Sequence, residues 1–325
     1  LKKFFKLAAI AALSLSAYAN ILMPEISRDG KTRNESLMAV SQSSRNFIAG
    51  QLSTVNLEDD FNNEIDITTT SVYGGFSAES FTMEIGYDNA NWDVGSADED
   101  FKDISILAGF KVNERLTLGV GLETSELLNG VDDTGISFGG TLLVEGTVLG
   151  GTIARHTYEL GSAEGDFILL TGAFGSATKD MSWETGITYQ MEGSGDLNTG
   201  ARLGIFGNAT KISGAWEFDG SFNYTFGDYL DEATGDNDYS SIEIEFDAEY
   251  LLNKEFYITP GVNYTSVDYP DSDDDTELVS LNGFVGFRNS QGLDATFGLE
   301  YVLSGDIGGD DVDGLGWGIN VGYVF

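Results

Sequence analysis

Period-two alternation runs through this chain from about residue 45 to its end, and it constrains the fold more than any single motif. One stretch sets Trp216, Phe218, Phe222, Tyr224 and Phe226 against Glu217, Asp219, Ser221, Asn223 and Thr225. The next sets Ile242, Ile244, Phe246, Ala248 and Tyr250 against Glu243, Glu245, Asp247 and Glu249. The last sets Leu315, Trp317, Ile319, Val321, Tyr323 and Phe325 against Gly314, Gly316, Gly318, Asn320 and Gly322. A strand puts successive side chains on opposite faces, so each segment separates an apolar solvent from a wet one. Sixteen such segments can be laid out, with 14 and 18 as the neighbouring even counts: 46–57, 65–76, 80–92, 101–110, 115–124, 135–147, 150–160, 165–175, 181–192, 199–208, 213–228, 239–250, 255–268, 276–288, 292–304 and 313–325. Most have the length, about 10 residues or slightly more, that crosses a bilayer when tilted.

The connections fall into two alternating sets. One is short: 77–79, 111–114, Leu149, 176–180, 209–212, 251–254 and 289–291. The other is longer and acidic: 58–64, 93–100, 125–134, 161–164, 193–198, 229–238, 269–275 and 305–312. Membrane barrels have short turns on one side and longer loops on the other. Lys111, Arg115, Lys179, Lys211, Lys254 and Arg288 fall at or beside the short set, and Lys102 is the cation expected beside the long set.

Composition then excludes whole classes. Of 325 residues, 53 are acidic and 16 basic, a formal charge of −37, which opposes nucleic-acid binding. There is no Cys, so disulfides, thiol catalysis and Cys-ligated metals are out. His156 is the single histidine, which removes multi-histidine metal sites. At 41% hydrophobic and 12% aromatic, the chain is no disordered acidic polymer. The sheet must therefore fold and carry its acid, and in hydrocarbon it must also close, since open edges have no partners there. The expectation is an all-β protein: a transmembrane, antiparallel, up-and-down β-barrel. Aromatics near strand ends agree: Trp183, Trp216 and Phe256 toward the short turns, and Trp92, Tyr189, Tyr269 and Trp317 toward the loops.

Residues 1–19 read as a signal peptide. Lys2, Lys3 and Lys6 precede an apolar run from Leu7 to Leu15, and Ala17-Tyr18-Ala19 supplies the cleavage signature. Its removal takes three Lys and no acid, shifting the charge from −37 to −40. Residues 20–44, with Pro24, Asp29-Gly30 and a short helix capped by Asn34, form a separate N-terminal segment, either periplasmic or folded into the lumen. Residues 45–325 form the barrel.

With the signal peptide and the last ten residues, Gly316-Trp-Gly-Ile-Asn-Val-Gly-Tyr-Val-Phe325, the chain resembles Gram-negative outer-membrane β-barrels, and most of all the porins. Trp317, Ile319, Val321, Tyr323 and Phe325 resemble the terminal signal read by the barrel assembly machinery. The resemblance implies an outer-membrane location, contact with outer-membrane lipid and lipopolysaccharide, and often a homotrimer. One departure stands out: porins fold a long third loop into the pore, and the third loop here, 125–134, is short.

A barrel of this size is wide enough for an aqueous channel. Acids read as inward-facing include Glu84, Asp88, Glu123, Glu145, Glu184, Glu217, Asp219, Glu243, Glu245, Asp247, Glu249, Asp294 and Glu300, with Arg155 and Arg202 the main inward bases. Carboxylate rings favour cations, so the expected function is passive diffusion of small hydrophilic solutes with a cation preference. The segments carrying Glu217, Asp219, Glu243, Glu245, Asp247 and Glu249 are neighbours and form the expected selectivity wall. A barrel without an open pore, structural or adhesive, is the alternative, as is a substrate-specific channel. No cofactor is expected. Asp271, Asp273, Asp275, Asp310, Asp311 and Asp313 are candidates for a loop Ca²⁺ or Mg²⁺ site because they group hard oxygens. Their EF-hand likeness is incomplete, with Thr276 and Asn282 where Gly and Glu belong. An enzyme would have to use His156 with Asp132, Asp133 or Asp166, and no nucleophile motif surrounds these.

Overall fold

The computed structural model describes residues 46–59, 64–94, 97–127, 131–196, 200–228, 238–268, 275–307 and 310–325. They form sixteen long strands: β1 (Phe47–Asp59), β2 (Glu64–Ala78), β3 (Phe81–Val94), β4 (Ala97–Lys111), β5 (Leu116–Leu127), β6 (Val131–Val144), β7 (Thr147–Leu160), β8 (Ala163–Ala177), β9 (Met181–Gln190), β10 (Arg202–Ser213), β11 (Trp216–Asp228), β12 (Asp238–Leu251), β13 (Phe256–Asp268), β14 (Thr276–Arg288), β15 (Leu293–Ile307) and β16 (Asp310–Val324). After β9, Ser194–Gly195 adds a two-residue ladder against β8.

Each strand pairs antiparallel with its neighbours in the chain, as in an up-and-down meander. β1 pairs on one side with β2 and on the other with β16, from Phe47↔Val324 to Asp59↔Val312, so the sheet closes on itself. Closure is what hydrocarbon demands of a sheet. Among the described residues no helix is long and apolar enough to cross a membrane, and the crossing elements are strands.

The two faces part as the alternation predicts. Trp216, Phe222, Tyr224, Ile244, Phe246, Leu315, Trp317, Ile319, Val321 and Tyr323 are all exposed on the outer surface. Their polar alternates point inward, with Glu217, Glu243 and Glu249 buried. So extensive an apolar exterior would aggregate in water; in lipid it meets a matched solvent.

The expected layout needs correction in several places. Strands continue through most of the expected long loops 93–100, 125–134, 161–164 and 305–312: β3 runs to Val94 and β4 starts at Ala97, β5 runs to Leu127 and β6 starts at Val131, β7 runs to Leu160 and β8 starts at Ala163, and β15 runs to Ile307 and β16 starts at Asp310. Two short turns also move. The connection between β6 and β7 is Glu145–Gly146, not Leu149. Both residues have positive φ, 50° and 86°, the requirement of a type I′ hairpin turn. Glu145 is therefore an exposed turn residue and not a lumenal acid. The next correction is the connection between β10 and β11, at Gly214–Ala215 and not at 209–212. Asn208 and Thr210, which look like turn residues, continue the inward face of β10. Three other short turns share one device. Asn113, Asn253 and Asn289 each accept two backbone N–H bonds through Oδ1 from residues two to four positions ahead, at 2.8–3.1 Å.

The inside is not uniformly wet. Leu57, Ile65, Ala90, Val302 and Val312 form a buried apolar cluster on the inward face near the loop ends of β1–β3, β15 and β16, flanked by Val55, Ile67, Phe101 and Leu278. The expectation of a wet inner face does not extend to this patch.

Candidate functional site

Twelve of the thirteen acids read as inward-facing lie on the inward side of their strands; Glu145, in its turn, does not. Glu84 is on β3, Glu123 on β5, Glu217 and Asp219 on β11, and Glu243, Glu245, Asp247 and Glu249 on β12, with Asp294 and Glu300 on β15. Glu123 is inward by its parity with buried Thr117 and Ser125, and it remains exposed there. The structure does not bring the twelve together. The acids of β11, β12 and β15 share one wall, while Glu84 and Glu123 stand elsewhere on the circumference.

The pairing of β11 with β12 sets like charges face to face: Glu217 opposes Glu249, and Asp219 opposes Asp247. Directly opposed like charges destabilise a sheet, so this wall needs compensation. Part of it comes from Arg288, the last residue of β14. Its Nη2 donates to Glu249 Oε2, and its Nε lies 3.6 Å from Asp294 Oδ2. The guanidinium lies 3.9 Å over the Tyr257 ring, and the Tyr257 hydroxyl donates to Asp294 Oδ1 at 2.8 Å. Four strands, β12 to β15, are thereby tied together at their short-turn end. Arg288 sits beside a short turn, as its position predicts, but its side chain is buried in the lumen. Strand parity shows the signal, because Arg288 lies directly opposite Asp294.

Farther toward the loops, Ser280 Oγ donates to Glu300 Oε1 at 2.6 Å. On β9, buried Glu184 accepts from Asn208 Nδ2 at 3.0 Å. These acids are held partly by neutral donors and partly by the Arg288 guanidinium.

A second acidic group lines the loop half of β3–β7. Asp88 opposes Asp103, and Ser125 opposes Asp133. Ser125 Oγ donates to Asp103 Oδ1 at 2.5 Å. His156 Nδ1 lies 3.1 Å from Asp133 Oδ2, and its ring stacks on Phe167 at 4.8 Å. Asp166 does not join them. It is on the outer face of β8, bonded to Arg155 Nη2 at 2.9 Å and to Ser194. Arg155 is thus an outer residue, whereas Arg202 faces inward and stacks over Tyr239 at 4.5 Å. Arg155 and Arg202 both lie toward the loop ends, so Lys102 is not alone there.

Asp271 and Asp273 of the candidate loop cation site lie outside the described residues. Asp275 precedes β14, and Asp310, Asp311 and Asp313 open β16. Among the described residues, no three Asp, Glu or His side chains are grouped closely enough to hold a metal by themselves. Of the terminal set, Trp317, Ile319, Val321, Tyr323 and Phe325 all face outward and are exposed.

No protein-family model and no curated protein matches the chain. Solved structures do resemble it in fold. A bacterial polysaccharide outer membrane secretin aligns with 87% of this chain and 100% of its own, at 12% identity and a TM-score of 0.53. CdiB from Acinetobacter baumannii aligns with 85% of this chain, at 10% identity and a TM-score of 0.57, and the alignment spans only 60% of CdiB. OccK7 (OpdD) of Pseudomonas aeruginosa aligns with 86% of this chain and 98% of its own, at 9% identity and a TM-score of 0.50. At such identities the likeness is one of fold. The chain shares the closed antiparallel architecture of outer-membrane β-barrels, here of sixteen strands.

Proposed function

We propose that this protein is an outer-membrane channel for passive diffusion of small hydrophilic solutes, with a preference for cations. The observation that carries the reading is the inward wall of β11 and β12, where Glu217 faces Glu249 and Asp219 faces Asp247 on the side opposite an apolar belt. A barrel facing lipid outside and carboxylates inside has chemistry suited to a water-filled path. Fixed negative charge along such a path raises the local concentration of cations and lowers that of anions. Reconstitution in a planar bilayer under a KCl gradient tests it. The reversal potential should show potassium passing more readily than chloride; a chloride preference overturns the cation assignment.

A closed barrel is the second reading. It is favoured by inward side chains that are almost fully covered, among them Glu217 at 3% and Asp294 at 1% exposure. Single-channel recording separates the two, since a closed barrel gives no conductance steps.

A further inference from the structure

The acid on the inner face of β11 and β12 is stacked as a ladder. From the short-turn end toward the loops its rows are Glu217–Glu249, Asp219–Asp247, Ser221–Glu245 and Asn223–Glu243. Residues on one face repeat every second position, about 6.8 Å along a strand, so the ladder from Glu249 to Glu243 is about 20 Å long. These carboxylates project from a single-layer wall, yet Glu217, Glu243 and Glu249 are only 3%, 7% and 8% exposed. A carboxylate covered in this way is costly unless positive charge or donors cover it. Arg288 reaches Glu249 in the lowest row, and Glu243 stands three rows farther on.

One stretch of the chain complements this ladder. From residue 46 on, the chain carries 50 acids and nine bases, whereas residues 20–45 carry four bases and three acids, with Arg28, Lys31 and Arg33 inside six positions. Residues 20–45 lie outside the described residues, but the point where they join the barrel is fixed. At the short-turn rim the Asn46 carbonyl accepts the Phe325 N–H at 3.0 Å, and its Oδ1 accepts the Ser77 N–H at 2.7 Å. By way of β16, β12 is five strands from β1, a distance of about 30 Å at ordinary strand spacing and tilt. Thirteen residues separate Arg33 from Asn46, a reach of up to about 45 Å. In an extended segment Lys31 and Arg33 repeat at the ladder's own period of about 6.8 Å. We propose that residues 20–45 fold back through the short-turn opening and lie along the inner face of β11 and β12, with Arg28, Lys31 and Arg33 on its carboxylate rows. Charge-assisted hydrogen bonds then compensate acids that the fold sets against one another. The docking needs no open pore; its narrowing of an ion path rests on the channel reading.

The chain has no Cys, so a pair of introduced thiols reports proximity without background. Thr32→Cys is combined either with Ser221→Cys on β11 or with Thr152→Cys on β7, and the full-length barrel is oxidised in detergent. Both wall positions face inward, five residues into their strands and six strands from β1. They differ in charge, since Gly139 and Thr171 flank Thr152. The Ser221 pair should form its disulfide severalfold more completely than the Thr152 pair. Changing Arg28, Lys31 and Arg33 together to Gln should abolish that excess, and an excess that survives overturns the ion pairing. Equal or absent crosslinking of the two pairs overturns the docking. Heat-modifiable gel mobility verifies that each barrel is folded, and Asn223→Cys replaces Ser221→Cys if that variant does not fold. Bilayer recording of the full chain and of a variant lacking residues 21–42 separates the two readings. If the Ser221 crosslink forms but neither protein conducts, the channel reading fails and the docking stands. If both conduct and the crosslink shows no preference, the docking alone fails.

Discussion

Arg288 is one guanidinium set against the carboxylates of Glu249 and Asp294, in a place where both acids are nearly excluded from solvent. Such a residue is worth less for the pair it forms than for the charge it prevents from standing alone. Removing one partner of a buried ion pair costs about 3–5 kcal/mol, because the survivor stays buried and uncompensated. Arg288→Met should therefore lower stability to urea by an amount of that order, measured on the barrel folded in lipid vesicles. Arg288→Lys should recover only part, since an ammonium cannot serve Glu249 and Asp294 while lying flat on the Tyr257 ring. An unchanged urea midpoint in Arg288→Met would show that the clamp contributes nothing. The sequence displayed Arg288 next to a turn, and turn-side cations usually face water. Only its face, set by register with Asp294, distinguishes it, and a single-strand reading of hydrophobicity does not weigh that.

Elements were legible where the two faces differ sharply and illegible where they do not. Strands β11, β12 and β16 alternate large apolar side chains with acid or glycine, and their spans agree with the expected ones to within a few residues. β10 departs because Asn208, Thr210 and Lys211 form a polar run that reads as a turn, although the first two merely face the lumen. The inner apolar cluster was hidden for a related reason. Strand parity tells inside from outside only when the inside is polar, and near the loop ends Leu57, Ile65, Val302 and Val312 make it apolar. The Glu145–Gly146 turn offers a test at this scale. Gly146 has a φ of 86°, which costs other residues roughly 1–2 kcal/mol. Gly146→Val should destabilise the β6–β7 hairpin by about that amount and slow refolding into vesicles. Gly172→Val, on extended backbone with open space around the site, serves as the control and should have little effect. Equal losses in the two variants would show that the turn conformation is not what matters.

At the scale of the whole molecule, the charge is a partition of space. The chain's −37 is not spread evenly. Acids line the inside of β3–β6 and of β11, β12 and β15, the lipid belt carries almost none, and Lys111, Lys179 and Lys254 gather at the short turns. A pore that selects by this field, and not by width, has a signature in salt. The Debye length shrinks from about 10 Å at 0.1 M to about 3 Å at 1 M. Wall carboxylates therefore act across the lumen in dilute salt and only on their near neighbours in concentrated salt. Measured at a fixed KCl ratio, the potassium preference should weaken markedly as the mean concentration rises from 0.1 M to 1 M. Replacing Glu217, Glu245 and Glu249 together with Gln should reproduce in dilute salt the weak preference of the wild type in concentrated salt. A preference that stays constant across that range would assign selectivity to pore geometry or to tightly held ions, and would remove the long-range field of the wall from the mechanism.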